Sequence, residues 1–198
     1  MNEINRLVIA TGNTHKTEEI RKLLGPYIQT IEDLKSYPEI GEIDEIGLNF
    51  EENATLKASA VGDFLGENSL VLSDDSGLEV VALSGEPGVY SARYAGQNCN
   101  PNDNIQKVLK KLIGRNDRTA RFRTVIALII DGKKSLFEGE CEGEITKERK
   151  GENGFGYDPI FLPKGVNMTF AQMTKKQKGE ISHRGRAIKK LVNFLQKN

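Results

Sequence analysis

Two adjacent acids follow a short apolar run at residues 70–77, LVLSDDSG. Because an uncompensated carboxylate is expensive to bury, acids at the end of an apolar strand indicate a bound cation or a proton-transfer role. The run predicts a buried strand that ends at a turn at Gly77. Alternation along that strand points Asp74 and Asp75 to opposite faces, so we expect them to have different functions. The alternative is an acidic turn at the surface, because Asp, Ser and Gly are ordinary turn residues.

The size and charge of the chain are typical of one globular domain. It has 198 residues, and its 28 Lys and Arg residues balance its 28 Asp and Glu residues. A chain without net charge has no general attraction to nucleic acid or to a membrane surface. The longest apolar run, Val125–Ile130, is too short to span a bilayer. We therefore predict a single domain over residues 1–198.

The ends and the cysteines of the sequence favour the cytoplasm. Cys99 and Cys141 lie far apart without CxxC spacing, which predicts free thiols and neither a disulfide nor a zinc site. The first residues, Met1–Arg6, lack the pattern of a secretory signal.

Apolar spacing predicts helices between the strands of the first half. Residues 6–10 predict a strand, and a helix with Ile20, Leu23 and Leu24 on one face follows it. A second helix is predicted from Asn49, which resembles a capping box with Glu52. Its apolar face consists of Ala54, Ala58, Val61, Phe64 and Leu65. Lys57 falls within that apolar arc and must either extend to the rim or point into a polar site.

The second half contains a hairpin signal. Asp131-Gly132 separates the strand predicted at 124–130 from a return strand with alternating Glu residues. Helices are predicted at 104–113 and in the last segment, where Ala187, Ile188 and Leu191 form a stripe. The mixture predicts an α/β fold with a mixed, twisted sheet flanked by helices and two lobes around a central cleft.

A strand–turn–helix at residues 10–16 predicts an anion site. The first turn of a helix presents free N–H groups, and Gly12 permits close approach of the backbone. Thr11 and Asn13 add donors, and Lys16 adds a positive charge. The spacing of a Walker A loop is absent. The alternative is a capped helix with a solvated lysine, and the residues next to His15 in sequence do not indicate a role for it.

Acids on two segments predict a magnesium site. Glu42, Asp44 and Glu45 precede the second helix, and Asp74 and Asp75 follow the apolar run. Mg²⁺ binds one or two carboxylates and completes its shell with water and substrate phosphates. The alternative for the first cluster is a charged surface loop.

The segment GFGYDP at 154–159 predicts contacts to a flat ligand. Phe155 or Tyr157 can stack on a base, and Asp158 can accept hydrogen bonds from ring N–H groups. The alternative is a turn between strands. Near the start of the last helix, Arg184 lies on an extension of the apolar stripe. This position predicts either an anion or carbonyl ligand, or an Arg–carboxylate pair that holds the helix.

Six motifs together resemble the inosine triphosphate pyrophosphatase family, which hydrolyses noncanonical purine nucleotides. The resemblance runs nearly from end to end, and residues 99–150 match only loosely. The motifs are TGNTHK at 11–16, FEENATLKA at 50–58, SDDSGL at 73–78, GEPGVYSARY at 85–94, GFGYDP at 154–159 and SHRG at 182–185. The resemblance implies cleavage of ITP, dITP and XTP to monophosphate and pyrophosphate, a requirement for Mg²⁺, a two-lobed fold with a nucleotide cleft, and a homodimer.

The resemblance also implies roles for individual residues. It makes Asp75 the general base and a magnesium ligand, and Glu45 the second metal ligand. Our hypothesis for the mechanism adds Lys16 as a catalytic cation and Lys57 as a second cation, both of which stabilise the departing pyrophosphate. The positions implied to bind the triphosphate are Thr11, Gly12, Asn13, Thr14, His15 and Lys16. Those implied to touch the rest of the substrate are Ser76, Phe155, Gly156, Tyr157, Asp158, Lys178, His183 and Arg184.

Selectivity is expected to depend on position 6 of the purine. A 6-oxo group accepts hydrogen bonds and a 6-amino group donates them, so fixed donors from His183, Arg184 or the backbone disfavour ATP. Two other functions stay open: a pyrophosphatase for a different modified nucleotide, and a nucleotide-binding module without hydrolysis.

Overall fold

A computed structural model describes residues 6–66, 69–98 and 100–197 of the chain. The predictions for Cys99 and for the first five residues lie outside the described part. Within it, the Cys141 side chain is buried. In the part of the chain that is described, no helix has both the length and the apolar character needed to cross a membrane.

Among the described residues, six strands form one mixed sheet. The strands are β1 (Arg6–Ile9), β2 (Thr30–Asp33), β3 (Leu70–Val80), β4 (Thr119–Ile130), β5 (Lys133–Ile145) and β6 (Phe161–Pro163). Their order in the sheet is β2-β1-β3-β4-β5-β6. Strand β1 is parallel to β2 and β3, whereas β6 is antiparallel to β5. The predicted α/β class with a mixed sheet is confirmed.

The described part of the chain also contains five α-helices, which connect and follow these strands. They are α1 (Thr14–Leu24), α2 (Phe50–Leu65), α3 (Pro101–Lys111), α4 (Lys175–Ile181) and α5 (His183–Leu195). Helix α3 begins three residues before its predicted start, because the Asn100 side chain accepts hydrogen bonds from the N–H groups of Asn102 and Asp103. Phe64 was predicted on the buried face of α2, but it is 52% exposed.

The hairpin between β4 and β5 is confirmed. Asp131 and Gly132 have φ angles of 47° and 74°, the positive values that a type I′ turn requires at both central positions. The predicted end of β3 at Gly77 is wrong, since the strand continues to Val80. It continues because Ser73, Asp74 and Asp75 at its centre each have at least one hydrogen-bonding partner elsewhere in the fold, so no turn is needed to expose them to water.

The chain divides into two compact units. Unit 1 consists of Met1–Asp75, Thr124–Gly139 and Arg184–Asn198, and unit 2 of Ser76–Arg123 and Glu140–His183. Each unit has its own apolar core. Buried side chains of the first core include Leu7, Ile9, Ile20, Leu72, Ile126 and Leu191. Those of the second include Leu78, Ile105, Phe122, Ile160, Phe161 and Phe170.

Candidate active site

Asp74 is a fully buried carboxylate in unit 1 whose oxygens are surrounded by donors. Arg184 donates from Nε to Oδ2 at 2.9 Å and from Nη2 to Oδ1 at 3.2 Å, and Thr124 donates to Oδ2 at 2.8 Å. Lys16 Nζ lies 2.8 Å from Oδ1. Burial alone would raise the pKa of Asp74, but the charges of Arg184 and Lys16 hold it well below its usual range. Asp74 is therefore a fixed anion and a poor proton acceptor.

Asp75, the next residue of β3, has different surroundings, as predicted. It is 5% exposed, and its Oδ1 lies 3.3 Å from Lys57 Nζ. Its Oδ2 is buried and has no hydrogen-bond partner among the described residues. Burial raises the pKa of Asp75, and the nearby charges of Lys16 and Lys57 only partly oppose this effect. An oxygen in this state can accept a proton or bind a cation.

Lys57 joins Asp75 to a second acid. Its Nζ lies 2.5 Å from Glu45 Oε1 and donates to the Asp74 carbonyl at 2.9 Å. Of the two alternatives for Lys57, extension to the rim or a polar site, the structure shows the polar site. Burial lowers the pKa of Lys57, but the charges of Asp75 and Glu45 outweigh it and leave the pKa above its usual value. The group thus contains one cation and two carboxylates.

The first turn of α2 holds the segment that carries Glu45. Gly47 N–H donates to Asn53 Oδ1 at 2.7 Å. A Cβ on Gly47 would lie 2.6 Å from that oxygen, so a larger residue would clash there. Asn49 caps the helix by accepting from Glu52 N–H at 2.8 Å, which is half of the predicted capping box.

The predicted anion site lies at the start of α1, where Asn13 caps the helix. Asn13 Oδ1 accepts from the N–H groups of His15 and Lys16 at 3.0 and 3.2 Å, and Thr11 Oγ1 accepts from Asn13 N–H at 3.2 Å. The Lys16 side chain is only 13% exposed and pairs with Asp74, so the solvated lysine of the alternative interpretation is wrong.

The surface at the start of α1 is open. Gly12, Asn13, Thr14 and His15 are exposed, and a Cβ on Gly12 would meet nothing within 4 Å. A ligand can therefore reach the backbone at the first turn, where the partial positive charge of the helix is concentrated.

Two carboxylates near one lysine fit a divalent cation. The described residues contain no group of three or more His, Cys, Asp or Glu side chains that could hold a metal by themselves. Asp75 offers a buried oxygen without a partner, and Glu45 contacts the same Lys57 ammonium. Such a sparse set of hard oxygen ligands suits Mg²⁺, which takes its remaining ligands from water and phosphate.

Arg184 is placed as in the alternative interpretation, an Arg–carboxylate pair that holds the helix. It is 1% exposed, binds Asp74 with two nitrogens, and donates from Nη1 to Glu19 Oε2 at 2.5 Å. The charges of Asp74 and Glu19 raise the pKa of Arg184 despite its burial. Direct contact between Arg184 and a substrate stays a prediction.

Unit 2 has a second buried lysine–carboxylate pair. Lys178 Nζ lies 2.6 Å from Asp158 Oδ2, and Phe155 N–H donates to the same oxygen at 2.8 Å. The ammonium also lies 4.7 Å from the ring centroid of Phe155 and 5.5 Å from that of Phe170. The pair therefore fixes the residues around Phe155, which is half-buried.

Glycines shape the loop at residues 154–158, which we call the GFGYD loop. Gly154 has a φ of 76°, and a Cβ there would lie 2.0 Å from Asp158 Oδ2. Gly156 has a φ of 59° and is half-buried. Side chains at either position would be strained, and at Gly154 they would also break the hydrogen bond between Asp158 and Phe155.

Three other predicted residues of unit 2 differ in accessibility. Tyr157 is 4% exposed and donates its hydroxyl to the Ser91 carbonyl at 2.8 Å, so Phe155 is the more accessible of the two aromatic residues predicted as alternatives for stacking on a base. His183 is 3% exposed, and its ring stacks on Phe122 with centroids 4.7 Å apart. Ser76 is half-buried within β3.

Sequence reasoning missed Glu19 and Thr124. Glu19 lies one turn after Lys16 in α1, a spacing that places two side chains on one helix face. Thr124 is a fully buried polar residue directly before the apolar run of β4. Both sequence features are common in proteins. Only the contact of Glu19 with Arg184 and that of Thr124 with Asp74 identify them as part of the site.

Comparison with known proteins gives consistent matches over nearly the whole chain. A sequence profile of the Ham1 family matches residues 7–194. A dITP/XTP pyrophosphatase of Christiangramia forsetii is 48% identical over 195 residues, which cover 97% of this chain and 100% of that protein. A dITP/XTP pyrophosphatase of Bacillus subtilis is 47% identical and covers 96% of each chain. The structure of the Staphylococcus aureus Ham1 protein has a TM-score of 0.86 and 44% identity, with 97% of this chain and 98% of that one covered. A HAM1 protein from Coxiella burnetii has a TM-score of 0.87 and 38% identity, with 98% and 100% covered.

Proposed function

The chain belongs to the Ham1 family, and on this premise we propose that it hydrolyses the noncanonical purine nucleotides ITP, dITP and XTP to the monophosphate and pyrophosphate. The observation that carries the proposal is the contrast between Asp74 and Asp75. One acid is bound by donors, and its neighbour retains a buried oxygen without a partner and a raised pKa. That is the arrangement that a general base requires.

The reaction we assign to unit 1 is direct attack of water on the α-phosphorus. The water oxygen forms a bond to the α-phosphorus. The bond between the α-phosphorus and the oxygen that bridges to the β-phosphorus breaks, and pyrophosphate leaves with that oxygen. Asp75 accepts the proton that the water loses. Lys16 and Lys57 stabilise the negative charge on the departing pyrophosphate, together with the first turn of α1.

Asp75 and Glu45 are the residues that we assign to Mg²⁺. When bound, the ion would supply positive charge for the phosphate oxygens. Lys57 holds both carboxylates on one ammonium and so keeps them close together while no ion is present. Asp74 keeps Lys16 near the same strand, because it pairs with that ammonium.

We assign recognition of the base to unit 2. Phe155 supplies an aromatic face, and Lys178 supplies a donor that suits a 6-oxo group. Asp158 holds both by accepting from Lys178 and from Phe155 N–H. Ser76, Gly156 and His183 are assigned to the same substrate.

We infer two further properties. The resemblance implies a homodimer. Cytoplasmic localisation is inferred from the widely spaced cysteines and from the nucleotide substrate.

The test is a substrate panel with product analysis. Purified protein is incubated with ITP, dITP, XTP, GTP and ATP in Mg²⁺, and nucleotide and phosphate products are separated by chromatography. We expect monophosphate and pyrophosphate from the first three and poor cleavage of ATP. Release of orthophosphate and a diphosphate would contradict the assigned bond. Binding of ITP without cleavage would identify a binding module instead.

A further inference from the structure

The motif GEPGVYSARY at residues 85–94 has no part in the reaction described above. Its second half forms a 3₁₀ helix, Gly88–Arg93, in unit 2. Ser91 fixes this helix to β3, because its hydroxyl donates to the Gly88 carbonyl at 2.6 Å and accepts from Leu78 N–H at 2.9 Å. The segment is therefore held in place by a buried polar side chain.

The main chain of the same segment is also bound from α3. Asn104 is 4% exposed, and its Nδ2 donates to the carbonyl of Ala92 at 2.8 Å and to that of Ser91 at 3.4 Å. Its Oδ1 accepts from Ala95 N–H at 2.6 Å. One buried amide thus binds three main-chain groups over five residues.

The Ser91 carbonyl connects this segment to the GFGYD loop. The Tyr157 hydroxyl donates to it at 2.8 Å. The Tyr157 side chain belongs to the core of unit 2, and burial raises its pKa, so the phenol remains a neutral donor. The loop accordingly has two anchors: the Asp158 carboxylate, which binds Lys178 and Phe155 N–H, and the Tyr157 hydroxyl.

We propose that Asn104 is a positioning residue for the base-binding loop. Asn104 fixes the main chain at Ser91 and Ala92, and so fixes the Ser91 carbonyl that accepts from the Tyr157 hydroxyl. Tyr157 in turn sets the position of Phe155, two residues before it. Motif 85–94 then serves as the support on which the GFGYD loop is built. The proposal rests on the proposed function, in which the loop contacts the purine.

The main test replaces Asn104 with Asp. An Asp side chain still accepts from Ala95 N–H, but it faces the Ser91 and Ala92 carbonyls with oxygen where Nδ2 donates. Asn102→Asp is the matched control, since it makes the same change in the same helix at an exposed side chain whose oxygen accepts from Arg149. Tyr157→Phe removes only the hydroxyl at the other end of the connection.

Two readouts separate positioning from a merely structural role. Hydrogen–deuterium exchange of peptides covering residues 153–158 measures the loop without any reaction. Steady-state kinetics with ITP and ATP measures how well the loop binds the base of the substrate. For Asn104→Asp and Tyr157→Phe we expect faster exchange of the loop, a rise in KM for ITP of about 5-fold to 50-fold, and little change in kcat. We expect no change in exchange or KM for Asn102→Asp.

The double variant tests the connection itself. Asn104 and Tyr157 are proposed to act through one carbonyl. The rise in KM of the double variant Asn104→Asp/Tyr157→Phe should therefore be much smaller than the product of the two single-variant rises. Multiplicative effects would overturn the proposal, as would a lowered Tm of Asn104→Asp with normal loop exchange and normal KM. If the wild-type protein fails to cleave ITP, the proposed function fails, while the exchange experiment still reports on Asn104.

Discussion

The two units each bury a lysine beside acidic side chains, but the two groups differ in their balance of charge. In unit 1, Lys57 contacts both Asp75 and Glu45, and Asp75 keeps a buried oxygen without a partner. In unit 2, the Asp158 oxygen that binds Lys178 also accepts from Phe155 N–H, and aromatic rings lie beside the ammonium. The first group has an excess of negative charge and is suited to a cation and to proton transfer. The second is closer to neutral and fixes the shape of a loop.

The largest expected effect is that of Asp75→Asn. It removes the assigned base and a metal ligand together, so kcat with ITP at saturating Mg²⁺ should fall by at least about 10²–10⁴-fold. Asp63→Asn is the control, because Asp63 is exposed on α2. Near-normal turnover by Asp75→Asn would contradict the catalytic role assigned to the lysine group of unit 1.

Replacing each lysine by Met compares the two groups directly. Loss of one partner from a buried ion pair costs about 3–5 kcal/mol, so both Lys57→Met and Lys178→Met should lower the free energy of unfolding. Mg²⁺ should recover stability in Lys57→Met beyond its effect on wild type, since two carboxylates then lack their shared cation. Lys178→Met should show no such extra recovery. Thermal unfolding with and without Mg²⁺ measures both, and equal increments in the two variants would contradict the assigned metal site.

Phe155→Leu tests whether the unit 2 group serves an aromatic surface. Leu keeps an apolar side chain but loses stacking, so KM for ITP should rise by about 5-fold or more while kcat changes little. Phe64→Leu is the control, because Phe64 is exposed on α2. An unchanged KM would mean that Phe155 does not stack on the base.

The sequence predicted the local parts of this arrangement well. The Asp131-Gly132 hairpin, the Asn49 cap and the inward position of Lys57 follow from short-range rules of turn geometry, capping and helix periodicity, and all three are confirmed. Residues 11–16 and 154–158 were identified as candidate sites for the same reason, since glycines and polar residues at element ends are local signals.

Long-range pairing is what the sequence could not supply. The end of β3 was misplaced, because the partners of Asp74 lie 50 and 110 residues further along the chain, at Thr124 and Arg184. The sequence leaves Phe155 and Tyr157 as alternatives for stacking, because nothing near Tyr157 in sequence indicates that its hydroxyl binds Ser91. In both cases a polar side chain is buried by a partner that only the fold brings close.

The smallest expected effect concerns stability, and it distinguishes Asp75 from Asp158. Because the folded protein raises the pKa of Asp75, ionisation of this group opposes folding: its stabilising contribution is present in acid and is lost as pH rises through the raised pKa. Without divalent metal, Asp75→Asn should therefore unfold at a higher temperature than wild type at neutral pH. Each kcal/mol of added folding stability should raise the unfolding temperature by about 2–4 °C. The difference in unfolding temperature between the variant and wild type should close as pH falls. Lys57 keeps Glu45 as an ion-pair partner in this variant.

Asp158→Asn is the counterpart in unit 2. It removes the carboxylate that lies 2.6 Å from buried Lys178, so it should lower the unfolding temperature at neutral pH, where Asp75→Asn raises it. Thermal unfolding monitored by circular dichroism across pH measures both variants. A destabilised Asp75→Asn at neutral pH would show that Lys57 stabilises Asp75 more than burial opposes it. The two lysine groups would then be equivalent structural pairs, and the assignment of Asp75 as base would lose its electrostatic support.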